Sequence, residues 1–177
     1  MNRAVFLDRD GVLNQVELRN GKPHPPGSLK DLKLTPHVEE CLADLKSRLF
    51  LLIVVTNQPD VARGKQTKAA VEEMHKFLMS RLPVDDIHVC YHDDSDGCEC
   101  RKPGPGLLLE AAQKHHIDLR NSFFIGDRWR DMEAGRRAQC QNIFIDYRYT
   151  DRRPGEADIA FVADSLRTAV DWILEHA

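Results

Sequence analysis

The chain has 177 residues, enough for one sizeable hydrophobic core, and it is 42% hydrophobic and 30% charged. A formal net charge of -3 argues against nucleic-acid binding through bulk charge, and no apolar stretch is long enough to suggest a membrane span. The short apolar run after Met1-Asn2-Arg3 does not fit a signal peptide. We therefore expect a cytoplasmic monomer, folded as a single domain over residues 1–177, with neither nucleic acid nor membrane as a partner.

Short apolar runs alternate with segments of helical periodicity along the chain. The predicted strands cover residues 4–7, 50–55, 87–91, 122–126, 142–146 and 159–162. The predicted helices begin at Thr35-Pro36, after Thr67, after Pro105, at Arg130 and at Asp164-Ser165. The polar, proline-rich stretch 21–28 is interpreted as irregular. This alternation predicts an α/β fold, a Rossmann-like, doubly wound and mostly parallel sheet.

Acidic, amide and hydroxyl side chains follow three of the predicted strands at the point where each strand ends. Asp8 and Asp10 follow the first strand, Thr56 and Asn57 the second, and Asp127 the fourth. In an open parallel sheet, ligands bind beyond the carboxyl ends of the strands. We therefore expect these five side chains to converge on one edge of the sheet.

The spacing of Asp8 and Asp10 predicts a site for a hard cation. Two carboxylates on the same face of an extended chain repel each other unless a cation or a proton lies between them. With Asp127 added, the oxygen set suits magnesium, which keeps waters and binds substrate phosphates. A carboxylate beside that ion can attack phosphorus, and a second can protonate the leaving oxygen and then activate water.

The tetrapeptide from Asp8 to Gly11 is equally typical of a simple turn, so by itself it does not decide between a turn and an active site. A calcium-binding loop is excluded, because its spacing would place Phe6 at the first ligand position. What favours the active site is the presence of three further loops of matching character.

Four motifs together resemble the signature loops of haloacid dehalogenase-like phosphatases. They are Phe6-Leu-Asp-Arg-Asp-Gly-Val-Leu-Asn14, Val55-Thr-Asn-Gln58, Cys100-Arg-Lys-Pro103 and Ile125-Gly-Asp-Arg-x-x-Asp131. They occur in the order of that family and extend over most of the chain. The resemblance implies a magnesium-dependent phosphate monoester hydrolase that acts through an aspartyl-phosphate, on a fold without a cap domain.

The resemblance also implies a role for each site residue. Asp8 is the implied nucleophile, Asp10 the general acid and base, and Lys102 the cation that neutralises the transferring phosphoryl group. The implied magnesium ligands are Asp8, Asp127 and the backbone carbonyl of Asp10. Asp131 is implied to support these ligands from behind, or else to be an auxiliary metal contact. The implied contacts to phosphate or substrate are Thr56, Asn57, Gln58, Arg63, Arg101 and Arg128.

Three of the five cysteines cluster with a histidine within eleven residues, as Cys90-x-His92-x5-Cys98-x-Cys100. Three thiolates and one imidazole make a closed tetrahedral set that is typical of structural zinc. An odd number of cysteines without a secretory signal argues against disulfides. We predict a zinc-bound loop over residues 90–100 that holds Arg101 and Lys102 steady. Asp93, Asp94 and Asp96 are interpreted as solvated loop acids.

The zinc loop is similar to that of an uncapped branch that contains the D-glycero-D-manno-heptose 1,7-bisphosphate 7-phosphatases and the histidinol-phosphatase domain. Substrate selection would then fall to three loops, at residues 16–29, 58–65 and 90–100. The segment Pro59-Asp-Val-Ala-Arg-Gly64 departs from the heptose pattern, and the short zinc loop is closer in length to the histidinol version. The heptose bisphosphate is the predicted substrate, with histidinol phosphate and a non-catalytic zinc-stabilised binding module as alternatives.

Overall fold

A computed structural model describes residues 1–177 as eight strands and five α-helices. The strands are β1 (Ala4–Leu7), β2 (Glu17–Arg19), β3 (Lys22–His24), β4 (Leu51–Asn57), β5 (Asp86–Cys90), β6 (Phe123–Gly126), β7 (Gln141–Ile145) and β8 (Phe161–Ala163). The helices are α1 (Val38–Ser47), α2 (Lys68–Arg81), α3 (Gly106–His115), α4 (Trp129–Ala138) and α5 (Leu166–His176). No helix among them combines the length and the apolar character that a bilayer crossing requires.

Six strands form one sheet in the order β5-β4-β1-β6-β7-β8, and every neighbouring pair in it is parallel. The predicted doubly wound, Rossmann-like sheet is therefore confirmed. Since the strands are parallel, the carboxyl ends of β1, β4 and β6 lie at the same edge. This edge carries the predicted site.

Helices cover both faces of the sheet, and β1 shows why. Along β1, Val5 and Leu7 pack into one hydrophobic cluster with α1 and α5, whereas Ala4 and Phe6 pack into a second cluster with α3 and α4. All four side chains are fully buried. A strand buried on both faces reads as a continuous apolar run, which is the pattern that predicted it.

The start of α1 differs from the prediction. Thr35 does not cap the helix. Its backbone N–H donates to the Leu13 carbonyl at 2.9 Å, which ties it to the loop after β1. The helix begins two residues after Pro36, at Val38, following His37 in a left-handed conformation with φ 60°. Tertiary pairing of Thr35 thus overrides the local capping signal.

The stretch interpreted as irregular contains strand β3, which forms an antiparallel hairpin with β2 just before it. Its turn lies at Asn20 and Gly21, both of which have positive φ. The hairpin places Pro23, His24 and Pro25 over the carboxyl edge of the main sheet, where they line a cleft. Neither strand contributes a buried residue. The hairpin therefore has no alternation of apolar and polar residues from which it could be predicted.

Candidate active site

Three carboxylates converge at the sheet edge, two after neighbouring strands and one from a helix. Asp8 follows β1, Asp127 follows β6, and Asp131 lies in the first turn of α4; their carboxylate oxygens lie within 4.8 Å of one another. All three side chains are buried. Asp131 accepts a hydrogen bond from the Arg128 backbone N–H at 3.0 Å, which fixes its position at the start of α4.

Lys102 lies against this cluster and is only 2% exposed. Its ammonium is 2.9 Å from Asp8 Oδ1 and 2.7 Å from Asp131 Oδ1, and it donates to the Val55 carbonyl at 2.8 Å. Burial disfavours the charged amine, but the Asp131 and Asp8 carboxylates outweigh it and raise the pKa of Lys102. The lysine therefore stays protonated.

The Asp8 and Asp127 carboxylates carry more negative charge than one lysine can balance. Burial, with help from the neighbouring Asp131 and Asp10 carboxylates, raises the pKa of Asp8 to about 7 in spite of Lys102. Burial and the carboxylates of Asp8 and Asp131 raise the pKa of Asp127 well above its usual range. A divalent cation among these oxygens would favour their ionised forms.

Two further observations fit a cation at this position. Asp127 Oδ1 is buried without any hydrogen-bond partner, as expected of an oxygen kept for a metal. Gly11 has φ +89°, and a Cβ there would lie 2.0 Å from Asp127 Oδ2. Glycine is thus required for the loop after β1 to approach Asp127. The carboxylate oxygens gathered there are the hard ligands that magnesium prefers.

The Asp10 carboxylate lies outside this cluster and is held by its own partners. It accepts hydrogen bonds from Arg9 Nη2 at 2.9 Å, Asn14 Nδ2 at 3.0 Å and Gln58 Nε2 at 2.8 Å. Burial acts to raise its pKa, but the charge of Arg9 and these hydrogen bonds lower it. The Asp10 carboxylate is therefore held apart from the three clustered carboxylates by its own hydrogen-bond donors.

Arg9, which orients Asp10, is fully buried and meets His75 of α2, with Arg9 Nη1 3.3 Å from His75 Nε2. Burial and the Arg9 charge lower the pKa of His75 to about 4. His75 is therefore neutral near pH 7, with Nε2 as acceptor. Helix α2 thus supports the catalytic loop from behind.

We expect His75 to make the protein less stable in acid. The unfolded chain takes up the proton near the ordinary pKa of 6.5 but the native state only near 4, so the free energy of unfolding falls as pH falls between these values. The contribution is about 3 kcal/mol. His75→Gln keeps an acceptor for Arg9 without titrating, and urea unfolding from pH 7 to pH 4 should show a shallower decline. Equal declines in wild type and variant would contradict the prediction, and His116→Gln, at an exposed position, is the control.

Thr56, Asn57 and Gln58 at the end of β4 lie beside the cluster with distinct contacts. The Asn57 side chain donates to the Lys102 carbonyl at 3.0 Å and accepts from the Lys102 N–H at 3.1 Å. Gln58 Nε2 donates to Thr56 Oγ1 at 2.9 Å as well as to Asp10. Asn57 therefore positions the Lys102 backbone. The sequence had predicted only a phosphate contact for Asn57.

The cluster lies at the bottom of an open cleft of about 390 Å³. Val16 is the only hydrophobic residue besides prolines among the 19 that line it. All three predicted selection loops reach the cleft, through His24, through Arg63 and through Asp94. Six aspartates line the cleft, together with six lysine and arginine side chains that can bind anionic groups of a ligand: Arg63, Lys65, Arg101, Lys102, Arg128 and Arg130.

The interpretation of Asp93 and Asp94 as solvated loop acids is wrong, because both hold arginines of the cleft. Asp93 binds the Arg63 guanidinium with two oxygens, at 2.9 and 2.5 Å. Asp94 Oδ1 accepts from Arg101 Nε and from Arg130 Nη1, each at 2.9 Å. Asp96 accepts from the Asp93 backbone N–H at 2.7 Å and stabilises the turn between them. The acids of this loop therefore position cationic groups.

The four predicted zinc ligands form a compact set. Sulfur–sulfur distances are 3.3 Å from Cys100 to Cys90, 3.3 Å from Cys100 to Cys98 and 3.6 Å from Cys90 to Cys98. His92 Nδ1 lies 3.5 Å from Cys90 Sγ and 3.4 Å from Cys100 Sγ. These are near the edge lengths of a tetrahedron around zinc and far from a disulfide bond length. The donor set therefore fits zinc.

Sequence reasoning missed Tyr149, whose hydroxyl donates to Asp127 Oδ2 at 2.9 Å. Tyr149 lies in the loop after β7, next to the ion pair between Arg128 and Asp151. Arg128 lines the cleft as predicted, while its guanidinium also faces the Tyr149 ring. The signal that could have found Tyr149 is its position after β7, because the carboxyl end of that parallel strand lies at the same edge of the sheet as the site.

The chain is similar to known hydrolases. A family model described as HAD-hydrolase-like matches residues 99–169. A D-glycero-beta-D-manno-heptose-1,7-bisphosphate 7-phosphatase of Helicobacter pylori is 36% identical, covering 97% of this chain and 91% of its own. The enzyme of that name in Escherichia coli K12 is 32% identical, covering 97% of this chain and 87% of its own.

Solved structures agree with these relatives. A D,D-heptose 1,7-bisphosphate phosphatase from B. bronchiseptica, complexed with magnesium and phosphate, superposes with a TM-score of 0.82 at 27% identity. The match covers 99% of each chain. A HAD-like phosphatase structure from Mesorhizobium loti superposes with a TM-score of 0.76 at 25% identity, over 98% of this chain and 85% of its own.

Proposed function

The chain belongs to the HAD-like phosphatases, in the family of the D-glycero-D-manno-heptose-1,7-bisphosphate 7-phosphatases, and from this membership we propose that it hydrolyses the 7-phosphate of a heptose 1,7-bisphosphate. The observation that carries the proposal is the grouping of Asp8, Asp127, Asp131 and Lys102 at the bottom of a polar cleft that also carries five further lysine and arginine side chains. The whole chain, residues 1–177, is proposed to act as one catalytic domain without a cap.

In the first step an Asp8 carboxylate oxygen attacks phosphorus, forming an aspartyl-phosphate and breaking the bond to the sugar oxygen. Asp10, protonated when the dianionic phosphate lies beside it, gives its proton to that leaving oxygen. Lys102 balances charge on the transferring group from its fixed position. Thr56 and Gln58 are proposed to contact the phosphoryl oxygens.

In the second step the Asp10 carboxylate takes a proton from water, which attacks phosphorus and breaks the bond to Asp8. Inorganic phosphate leaves and Asp8 is regenerated. The hydrogen bonds from Arg9, Asn14 and Gln58 keep Asp10 ionised for this role as a base. One carboxylate thus serves as acid and then as base, while the other forms the covalent bond.

We propose magnesium at Asp8, Asp127 and the Asp10 carbonyl, with Asp131 behind them. Magnesium bound there supplies positive charge that favours the ionised nucleophile and binds a phosphate oxygen. Structural zinc is proposed at Cys90, His92, Cys98 and Cys100, where it would hold Arg101 and Lys102 in place. A cytoplasmic location is proposed because these thiolates need reducing surroundings.

Two arginines are proposed to bind the second phosphate of the substrate. Arg63 and Arg101 line the cleft on the side of the zinc loop, and guanidinium groups suit phosphate oxygens. The alternative substrate, histidinol phosphate, carries an ammonium group that would favour unpaired carboxylates. Asp93 and Asp94 are both engaged with arginines, so neither is free to pair with that ammonium group.

The proposal is tested by phosphate release in the presence of magnesium from heptose 1,7-bisphosphate, histidinol phosphate and sugar monophosphates. We expect kcat/KM to be highest for the bisphosphate. A preference for histidinol phosphate would keep the mechanism but overturn the substrate. Absence of magnesium-dependent release from every compound would overturn both.

We expect Arg101→Gln to affect the bisphosphate selectively. The Arg101 side chain is only 10% exposed and held by Asp94, so its loss removes a preorganised cation from the cleft. The KM for the bisphosphate should rise by about 10-fold, with kcat less affected, whereas kinetics with a sugar monophosphate should change little. The control is Arg81→Gln on α2, where Arg81 is exposed and pairs with Glu39 of α1. Equal losses on both substrates would contradict a role in binding the second phosphate.

We expect Tyr149→Phe to weaken magnesium binding by about 10-fold, because partners that orient a ligating carboxylate contribute this much to metal affinity. The variant removes only the hydroxyl that holds Asp127 Oδ2. Magnesium activation curves measure the effect as a higher half-saturating concentration. Tyr147→Phe is the matched control, because its ring packs beside Tyr149 while its hydroxyl makes no hydrogen bond within the protein. A shift of similar size in both variants would argue against orientation of Asp127.

A further inference from the structure

A second group of potential metal ligands lies away from the cleft, at the opposite end of β5 and α3. Asp86 is the first residue of β5, His88 lies on the same side of that strand, and His115 is the last residue of α3. The ligand atoms of these three side chains all lie within 4.8 Å of one another. None of the three lines the active-site cleft, and the proposed phosphatase mechanism does not use them.

The two imidazoles converge on one carboxylate oxygen. His88 Nε2 is 3.1 Å and His115 Nε2 is 2.6 Å from Asp86 Oδ2. The rings are nearly perpendicular, at 79°, with centroids 6.4 Å apart, so they meet at their nitrogen edges and do not stack. Asp86 Oδ1 is engaged by the Ile87 backbone N–H at 2.9 Å, which leaves Oδ2 directed at the histidines.

The surroundings of His88 match those of a metal-bound histidine. Its side chain is 6% exposed, and Glu110 Oε1 lies 3.6 Å from Nδ1, on the side of the ring away from Asp86. A carboxylate beside the second ring nitrogen favours the tautomer that leaves Nε2 free for a metal. His88 is therefore held by Asp86 on one side, while the exposed Glu110 carboxylate lies just beyond hydrogen-bond distance on the other.

Lys114 is the cation that a metal ion would have to displace. Its ammonium is 2.7 Å from Asp86 Oδ2, but its side chain is 58% exposed. Because the lysine is at the surface, its ammonium can move into water without the cost of burying a charge.

We propose that Asp86, His88 and His115 bind a late first-row divalent cation, zinc foremost, with water completing the coordination. Two imidazoles and one carboxylate are a donor set that suits zinc and nickel. The site would join the start of β5 to the end of α3, whereas the thiolate loop joins the end of β5 to the segment before α3. Two metals would then fasten this strand–loop–helix unit, which carries Arg101 and Lys102, at both ends.

The test is a calorimetric titration with nickel of the full chain, first loaded with one equivalent of zinc and kept in excess magnesium. We expect wild type to take up one further equivalent, and His115→Gln to bind it at least about 10-fold more weakly. His115 is partly exposed, so this variant should fold normally. Saturating nickel should raise the melting temperature of wild type and leave that of His115→Gln unchanged.

His116→Gln, one residue further at an exposed position, is the matched control and should bind nickel like wild type. His88→Gln, at a buried position, should repeat the His115→Gln result, with circular dichroism confirming its fold. The proposal is overturned if wild type takes up no equivalent that His115→Gln lacks. It is also overturned if His116→Gln loses as much affinity, since that would indicate adventitious binding at surface histidines.

Discussion

Asp8→Asn is expected to abolish phosphate release, by at least about 10³-fold in kcat. An amide oxygen is too weak a nucleophile to attack phosphorus, while the shape of the side chain is unchanged. Magnesium-dependent phosphate release measures the loss. A matched control is Asp171→Asn on the exposed face of α5, which should have wild-type activity.

The same variant separates catalysis from folding. Burial and neighbouring carboxylates raise the pKa of Asp8 to about 7, so at neutral pH the metal-free native state gains little from its charge. Because the native pKa is the higher one, stabilisation from protonated Asp8 is complete only below about pH 3.8 and is lost as the pH rises to about 7. The metal-free variant should therefore melt within about 4 °C of wild type, and loss of activity through unfolding would show as a much lower melting temperature.

Lys102→Met is expected to lower kcat by about 10² to 10³-fold, because it removes the preorganised charge opposite the transferring phosphoryl group. It also removes the ammonium that lies 2.9 Å from Asp8 Oδ1 and 2.7 Å from Asp131 Oδ1. These buried carboxylates are then left without a cation. A buried charge that loses its partner destabilises a protein by about 3 kcal/mol or more. The metal-free variant should thus unfold more easily in urea.

Magnesium binding gives the Lys102 prediction a second measurement. With the competing ammonium removed, the carboxylate cluster is more negative, so the variant should bind magnesium more tightly than wild type and regain stability with it. Lys76→Met, at an exposed position on α2, is the control. Weaker magnesium binding in Lys102→Met would show that the lysine acts by maintaining the shape of the site, and the electrostatic account would be wrong.

Much of the site was predictable because its residues follow strands in a regular way. Asp8, Thr56 and Asp127 each come directly after an apolar run, and parallel strands bring such positions to one edge. The four cysteine and histidine ligands were also predictable, since all lie within one short segment. The carboxylates are marked by the apolar runs that precede them, and the zinc ligands by their short spacing. Both signals are local in the sequence.

The contacts that escaped prediction join residues distant in sequence through irregular loops. The Asn57 amide meets the Lys102 backbone across 45 residues, and Tyr149 reaches Asp127 from the loop after β7. Arg63 meets Asp93 across 30 residues. No periodicity marks such pairs, because their geometry depends on how each loop leaves its strand.

The sequence by itself thus determined the parallel sheet, the edge that carries the chemistry, the carboxylates and the thiolate loop. Only the tertiary structure decided that Asp10 is held by Arg9 and Gln58 outside the carboxylate cluster, and that loop acids hold arginines. Side-chain type and the periodicity of a strand are local features of the sequence. The partners of a buried charge depend on the packing of the whole fold, since they are the groups that compensate its lost hydration.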